Sequence, residues 1–388
     1  MVPNGWKKGV IEDIAKVSSG GTPSRQNNLY WLGGQIPWVT TTEVKFGVIN
    51  DTEQKITEAG LKNSSAKLFP KDTILMAMYG QGKTRGQVAK LGIEASTNQA
   101  CAALLLNDGF EVDYYYQYLV SQYENIRELA NSGGQQNLSA GIIKSIHVPI
   151  PPQLEQRKIA KILSTWDKAI SSTERLIDNS KQQKKALMQQ LLTGKKRLLD
   201  DSGKPFVGEW LFSTFSEVFK VANNKKTQIK SGDYLESGHI PIVDQGKQLI
   251  SGYTNNVEKY DDIPVIIFGD HTRIVKWVDF EFAQGADGTQ VLKATKHFDG
   301  KFSYYLLSNT DIPNLGYSRH MRELKEKDFK HPNSIKEQQK IALILTNADN
   351  EIGLLEQQLA DLKQEKKALM QQLLTGKRRV KVDDKEVA

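Results

Sequence analysis

Several short stretches of this chain carry hydrogen-bonding side chains on glycine-punctuated turns between apolar runs. In the first part of the chain they are Ser18-Ser19-Gly20-Gly21-Thr22-Pro23-Ser24, Tyr79-Gly80-Gln81-Gly82-Lys83-Thr84-Arg85-Gly86 and Gly133-Gly134-Gln135-Gln136-Asn137. In the later part they are Asn223-Asn224-Lys225-Lys226, Phe268-Gly269-Asp270-His271-Thr272-Arg273 and Tyr317-Ser318-Arg319-His320-Met321-Arg322. Arg, Lys, Asn and Gln held on a rigid sheet suit the reading of a DNA duplex. Arg pairs bidentately with guanine and Asn or Gln with adenine, each worth about 1–3 kcal/mol of discrimination, while Lys and Arg also hold phosphates. The candidate DNA-binding residues are Lys83, Arg85, Asn98, Gln99, Gln135 and Asn137 in the first part, and Lys226, His271, Arg273, Gln290, Arg319 and Arg322 in the later part. Ordinary surface turns have the same make-up, so these assignments depend on the elements that carry the loops.

Other chemistry is harder to assemble. Gly82-Lys83-Thr84 follows an apolar strand as a phosphate loop does, but that pattern needs glycine at position 77, which is Ala77. His147 and His331 lack a second ligand at metal spacing and read as structural. Asp51-x-Glu53-x-Lys55 has the types of a nuclease carboxylate site at a spacing common in any polar stretch. No Asn-Pro-Pro-aromatic motif or G-x-G-x-x-G fingerprint is present. The expectation is a non-catalytic chain with no catalytic and no metal-binding residues.

The loops must be positioned by the strands and helices around them. Residues 1–152 alternate short apolar runs with turns: Ile36–Val39, Thr73–Met78, Gln87–Ala89, Ala100–Leu106 and Ile146–Ile150, with one helix over Asp113–Asn131. Residues 199–334 repeat the theme at Ile240–Val243, Val265–Phe268, Ile274–Val278 and Gln290–Leu292, with a helix over Phe302–Ser308. Each part reads as an α+β domain.

Behind each domain comes a repeated segment. Lys184–Lys195 and Lys366–Lys377 are the same twelve residues, KKALMQQLLTGK, at an offset of 182. The match extends upstream through Glu155-Gln156-x-Lys158-Ile159-Ala160 and Glu337-Gln338-x-Lys340-Ile341-Ala342. The parts before these units share only scattered anchors: Gly5-Trp6 with Glu209-Trp210, Ile36-Pro37-x-Val39 with Ile240-Pro241-x-Val243, and Asn98-Gln99 with Thr289-Gln290.

Residues 153–198 and 335–380 each predict one long helix. The first carries a seam through Ile159, Leu163, Trp166, Ile170, Thr173, Ile177, Ser180, Lys184, Leu187 and Leu191; the second runs through Ile341, Leu345, Ala348, Ile352, Leu355, Leu359, Leu362, Lys366, Leu369 and Leu373. A 3.5-residue repeat marks a coiled coil. Pro151-Pro152 opens the first helix, Ser334-x-x-Glu337 reads as a capping box for the second, and Gly194 and Gly376 stop them. The seam's partner is either the other helix of the chain or a second copy. The interrupted first seam fits better beside the second, so antiparallel intramolecular pairing is expected, with the domains at opposite ends of a rod in pseudo-two-fold relation.

Charge does not by itself argue for nucleic acid. The net charge is +7, and the excess lies on the helical segments, with +7 in residues 153–198 (eleven Lys and Arg against four Asp and Glu) and +2 in residues 335–380, whereas residues 1–152 carry +1, residues 199–334 carry −2 and the tail −1. Much of the excess, Lys195-Lys196-Arg197 and Lys377-Arg378-Arg379, would favour a helix C-terminus in any protein. The single cysteine, Cys101, in the apolar run Ala100–Leu106, reads as core filler. No stretch has the ~20 apolar residues needed to span a bilayer, and no apolar signal core follows Met1, so a cytoplasmic chain is expected.

Two divergent domains, each followed by a near-identical helix ending in Leu-Leu-Thr-Gly-Lys, with Pro-Pro-Gln-Leu-Glu-Gln-Arg-Lys-Ile-Ala opening the first, resemble the specificity subunit of type I restriction-modification enzymes. Gly21-Thr22-Pro23-Ser24, the Gly80–Gly86 loop, Asn98-Gln99 and Asn137-Leu138-Ser139 add to the likeness; the second domain lacks the Gly-Thr-Pro turn and has Thr289 where the first has Asn98. The resemblance implies target recognition domains at 1–152 and 199–334, spacer helices at 153–198 and 335–380, and a tail at 381–388. It implies double-stranded DNA, two methyltransferase (modification) subunits and restriction subunits as partners, with no membrane. No cofactor is expected on this chain, and S-adenosylmethionine, ATP and magnesium are expected on the partner subunits. The competing reading is a coiled-coil scaffold whose globular ends bind proteins or sugars.

Overall fold

The computed structural model describes residues 3–80, 83–129, 137–286, 288–316 and 318–382. The α+β chain forms two compact units, one of Met1–Thr173 with Gln358–Ala388 and the other of Glu174–Gln357. The long helices, Gln153–Leu191 and Ile335–Leu373, each contribute residues to both units. Among the described residues no helix is long and apolar enough to cross a membrane.

In the first unit the strand Ile74–Ala77 is apolar at every position and buried on both sides, as a central strand between two layers must be. It lies between Cys101–Leu106 and Val88–Leu91, both antiparallel to it, in a five-stranded sheet whose edges are Ala15–Ser19 and Val48–Ile49. Successive side chains face opposite ways. Leu75, Ala77, Cys101 and Ala103 pack with Val39 and Val44, while Ile74, Met76, Ala102 and Leu104 pack with Tyr114, Tyr115, Leu119, Ile159 and Leu163. Cys101 is core filler as expected. A second sheet orders Gln54–Ile56, Ile36–Val39, Ala95–Thr97 and Leu68–Phe69.

The second unit repeats this plan on different side chains. Its sheets are Phe219–Val221, Thr289–Ala294, Val265–Gly269 and Val275–Val278, and Gln228–Ile229, Ala283–Gly285, Ile240–Val243 and Gly252–Thr254. Ile266, Phe268 and Leu292 face Phe302, Tyr305, Ile341 and Leu345; Val265, Ile267 and Val291 face Val243, Tyr260 and Phe282.

Within each unit the end of one long helix runs antiparallel to the start of the other, held by the same set of side chains. In the first unit Glu155, only 4% exposed, accepts from Arg379 Nε (2.7 Å), Arg379 Nη2 and Trp6 Nε1 (3.3 Å), and Arg379 Nη1 donates to Asn4 O (2.7 Å). In the second, Glu337, 1% exposed, accepts from Arg197 Nε (2.7 Å) and Nη2 (2.8 Å), and Arg197 Nη1 donates to Gly208 O (2.9 Å). The seam lysines are interhelical ion pairs: Lys366 with Asp167 (2.6 Å), and Lys184 with Asp349. The neighbouring glutamines tie helix to domain. Gln156 accepts Glu111 N–H (2.9 Å) and donates to Pro151 O (2.9 Å); Gln338 accepts Asp299 N–H (2.9 Å) and donates to Pro332 O (3.1 Å).

Gly194 and Gly376 follow the last helical residues with φ of +73° and +71°, which favours glycine. A Cβ on Gly194 would lie 2.8 Å from the Trp210 ring, and one on Gly376 would collide with Pro3 and lie 3.3 Å from Trp6. Trp6 and Trp210, matched in the sequence, thus do the same job in the two units.

Three expectations need correction. The capping box at Ser334 is half formed: Ser334 Oγ accepts Glu337 N–H (3.4 Å), but the Glu337 carboxylate is taken by Arg197. The single helix over Asp113–Asn131 is two, Val112–Ser121 and Tyr123–Leu129, because Gln122 N–H is shared between Tyr118 O and Leu119 O and closes the first; Asn131 lies outside the described residues. The sheet register pairs Ala77 with Cys101 and Gly269 with Thr289, so Thr289-Gln290 corresponds to Cys101-Ala102 and not to Asn98-Gln99. Short strands such as Lys7–Val10 and Gln54–Ile56 carry too few apolar residues to be read from pattern alone.

Candidate nucleic-acid interface

The first unit gathers its loops around the end of one strand. Met78 N–H donates to Ala100 O (2.8 Å) and Met78 O accepts Leu138 N–H (3.0 Å), so residues 79–80 and 83–86, the turn at 97–100 and Asn137 emerge on one rim. Gly80 (φ +144°) and Gly86 (φ +82°) bracket the first loop. Lys83 is exposed, its carbonyl accepting the Tyr123 hydroxyl; Arg85 is half-buried. Asn98 Oδ1 accepts Ala100 N–H (3.1 Å), and Gln99 Oε1 accepts the Thr22 hydroxyl. Asn137 is exposed, whereas Gln135 lies outside the described residues, as do Gln81 and Gly82. The turn at Gly20-Gly21 packs on this rim: Gly21 N–H donates to Thr97 O (2.8 Å), and a Cβ on Gly20 would collide with that carbonyl.

Arg25, absent from the candidates drawn from the sequence, sits at the end of the same turn. Its guanidinium lies 3.8 Å from the Trp31 ring centroid and 4.8 Å from that of Trp38, and its Nη1 donates to Gln54 Oε1 (2.6 Å). The turn is tied by both indoles, with Trp38 Nε1 donating to Gly21 O and Trp31 Nε1 to Ser24 O, each at 3.0 Å. The signal in the sequence was one arginine beyond Gly-Thr-Pro-Ser with two tryptophans downstream.

The second unit uses the equivalent strand end. Asp270 N–H donates to Gly288 O (2.7 Å), its carbonyl accepts His320 N–H (2.8 Å), and its carboxylate accepts Met321 N–H (2.6 Å). His320 is fully buried, with Nδ1 2.8 Å from Asp270 O and Nε2 3.3 Å from Leu315 N; these contacts suit a neutral ring protonated at Nδ1. This Asp270–His320 fastening was not legible in the sequence, where both residues read as loop.

Around it, His271 N–H donates to Gln245 Oε1 (3.0 Å) and its Nδ1 lies 3.2 Å from Ser318 O. Arg273, at φ +60°, donates from Nη1 to Ile312 O (2.8 Å). Gln290 Oε1 accepts Asn223 Nδ2–H (2.8 Å), and Lys226, exposed, follows Asn224, whose side chain accepts its N–H (3.1 Å). Arg319 and Arg322 are exposed, and Arg322 reaches Glu326 at 3.4 Å; Tyr317 lies outside the described residues. The loop after Ile240–Val243 is anchored by Lys276, whose Nζ donates to Asp244 O (2.7 Å) and Gln248 O. Burial lowers the Lys276 pKa, opposed by the nearby Asp244 carboxylate.

Each rim therefore combines side chains spent on loop geometry, such as Asn98, Gln99, Arg273 and Gln290, with exposed donors such as Lys83, Asn137, Lys226 and Arg319. His331 is structural, its ring 3.1 Å from Ser213 Oγ and edge-on to Phe298, and Asp51 pairs with Lys55 at 3.3 Å. Among the described residues no group of three or more His, Cys, Asp and Glu side chains could hold a metal ion.

The family model for the type I restriction modification DNA specificity domain matches residues 3–180 and 208–364. The chain belongs to this family. The two matched segments each begin at a domain's first strand and continue into the long helix behind it. A specificity subunit of a type I restriction enzyme, MjaIX, from Methanocaldococcus jannaschii is 28% identical over 290 residues, covering 70% of this chain and 63% of that protein. The EcoR124I/EcoR124II specificity subunit of Escherichia coli is 28% identical over 172 residues, 43% of this chain and 42% of the relative. The chain thus spans less than two thirds of these two relatives, while the putative MjaX specificity subunit of M. jannaschii aligns over 98% of this chain and 95% of its own length at 24% identity. The crystal structure of a type I restriction-modification S subunit from M. genitalium shares the fold, with a TM-score of 0.64 at 18% identity over 96% of both chains.

Proposed function

We propose that this chain is the DNA-reading subunit of a type I restriction-modification assembly, each domain reading one half of a bipartite target and the long helices serving as spacer and as the docking surface for two methyltransferase subunits. One observation carries the reading: the two units repeat the central helical fastening, Arg379 on Glu155 and Arg197 on Glu337, yet place different side chains on equivalent rims. Duplicated scaffold with divergent rims suits two readers of unlike half-sites. The chain itself is non-catalytic in this reading and cytoplasmic. S-adenosylmethionine, ATP and magnesium act on partner subunits, and restriction subunits join the same assembly. Nearly neutral domains fit a subunit whose methyltransferase partners share the phosphate grip.

The test is a gel shift of the chain with its candidate methyltransferase against random duplex DNA, together with methylation sequencing of a host carrying both. Two unlike half-sites separated by a fixed gap are expected. A complex that methylates and binds without sequence preference, or a chain that captures glycans or proteins while ignoring DNA, would overturn the proposal.

A further inference from the structure

We infer that Arg25 and Gln54 form a single guanine-reading element of the first domain; this deepens the proposed function and rests on it. A guanidinium can only donate, so the atom of Gln54 facing Arg25 must be the carbonyl oxygen, at 2.6 Å from Nη1. That bond takes up one lone pair of the amide oxygen and orients the amide, so that its two N–H groups, with the other N–H groups of Arg25, form an edge dominated by donors. In the major groove, guanine presents two adjacent acceptors, N7 and O6, whereas adenine and cytosine present an amino group that would set donor against donor.

The plane of this edge is held fixed. Trp31 and Trp38 pack on the guanidinium and meet each other edge-to-face at 5.1 Å, and Trp38 is 1% exposed, so its ring is anchored in the core. Gln54 lies on a strand paired with Ile36–Val39, directly opposite Trp38. Among the described residues no Asp or Glu pairs with Arg25, although its side chain is exposed. A phosphate is held adequately by a mobile cation; fixing the plane of the fork adds direction, which matters for a base edge. Arg25 belongs to the turn that Thr22 joins to Gln99, so it stands beside the rim already described.

The experiment selects binding sites from a randomised duplex library with the chain and its methyltransferase, then repeats the selection with three variants. Arg25→Ala is expected to lose about ten- to a hundredfold of guanine preference at one base pair of one half-site, leaving the other half-site unchanged. Arg25→Lys, which keeps the charge without the fork, should lose the same preference while retaining affinity for non-specific DNA. Gln54→Glu replaces the amide donors by an acceptor and should shift that position or its neighbour toward a base bearing an amino group. Even weakening across all sequences in Arg25→Ala would make this a phosphate contact and overturn the inference, as would an unchanged preference at every position. A wild-type complex that selects no sequence would instead sink the underlying function.

Discussion

Replacing Gly376 by alanine tests whether the end of the second long helix is clamped against Pro3 and Trp6 of the first unit. At φ +71° a Cβ costs about 1–2 kcal/mol in backbone strain. It would also collide with Pro3 and press on Trp6 at 3.3 Å, and overpacking of this kind adds about 1–3 kcal/mol. Loss of glycine's freedom in the unfolded chain returns about 0.4–1 kcal/mol. The net expectation is destabilisation by about 2–4 kcal/mol. Gly353, on the same helix, is exposed with nothing within 4 Å of its added Cβ, so Gly353→Ala should stabilise by about 1 kcal/mol. Urea and thermal unfolding of the two variants should therefore move in opposite directions, with Gly376→Ala lowering the thermal midpoint by roughly 8 °C at about 2–4 °C per kcal/mol. If Gly376→Ala is as stable as wild type while Gly353→Ala gains, the close seating of the helix end on Pro3 and Trp6 is wrong.

Arg379→Ala strands the buried Glu155 carboxylate and should cost about 2–3 kcal/mol, below the ~3–5 kcal/mol of a fully buried pair because water reaches the guanidinium; adding Glu155→Gln should recover part of it in a double-mutant cycle of denaturation midpoints. Burial pushes the Cys101 thiol up to about 12, so a thiol reagent at neutral pH should label it only as fast as the first unit opens, and labelling should track urea concentration. The Glu217 carboxyl is held below its ordinary 4.5 by the Thr214 N–H and hydroxyl that it caps. A carboxylate with a lowered folded value contributes stability that is present above 4.5 and is lost as pH falls through the folded value, so Glu217→Gln should be less stable than wild type at pH 7, show a flatter acid limb, and converge with wild type at low pH.

Much of the helical architecture could be read from the chain because its causes are local or repeated. Ile159, Leu163, Ile341 and Leu345 recur at coiled-coil spacing and are buried as that spacing requires. Lys184 looked like a break in the first seam, since the pattern does not show that Asp349 waits on the facing helix; Lys366 meets Asp167 in the same way. The rims were legible only in part. Gly-rich loops with Arg, Asn and Gln mark where readers could stand, but whether a side chain is spent inside the protein depends on neighbours far away in sequence, as with Arg273 and Ile312 O.

From its residues alone the chain established a duplicated unit, two long helices with stop points at Gly194 and Gly376, and α+β domains before each helix. Tertiary structure decided that each unit is closed by the opposite helix's tail, through Arg379 on Glu155 and Arg197 on Glu337, and that Arg25 rather than Arg273 presents its fork outward. The reason is physical. Periodicity and turn chemistry act over a few residues and leave a local trace, whereas a buried carboxylate's partner or an arginine's free edge is set by contacts between segments that nothing in their own neighbourhoods encodes.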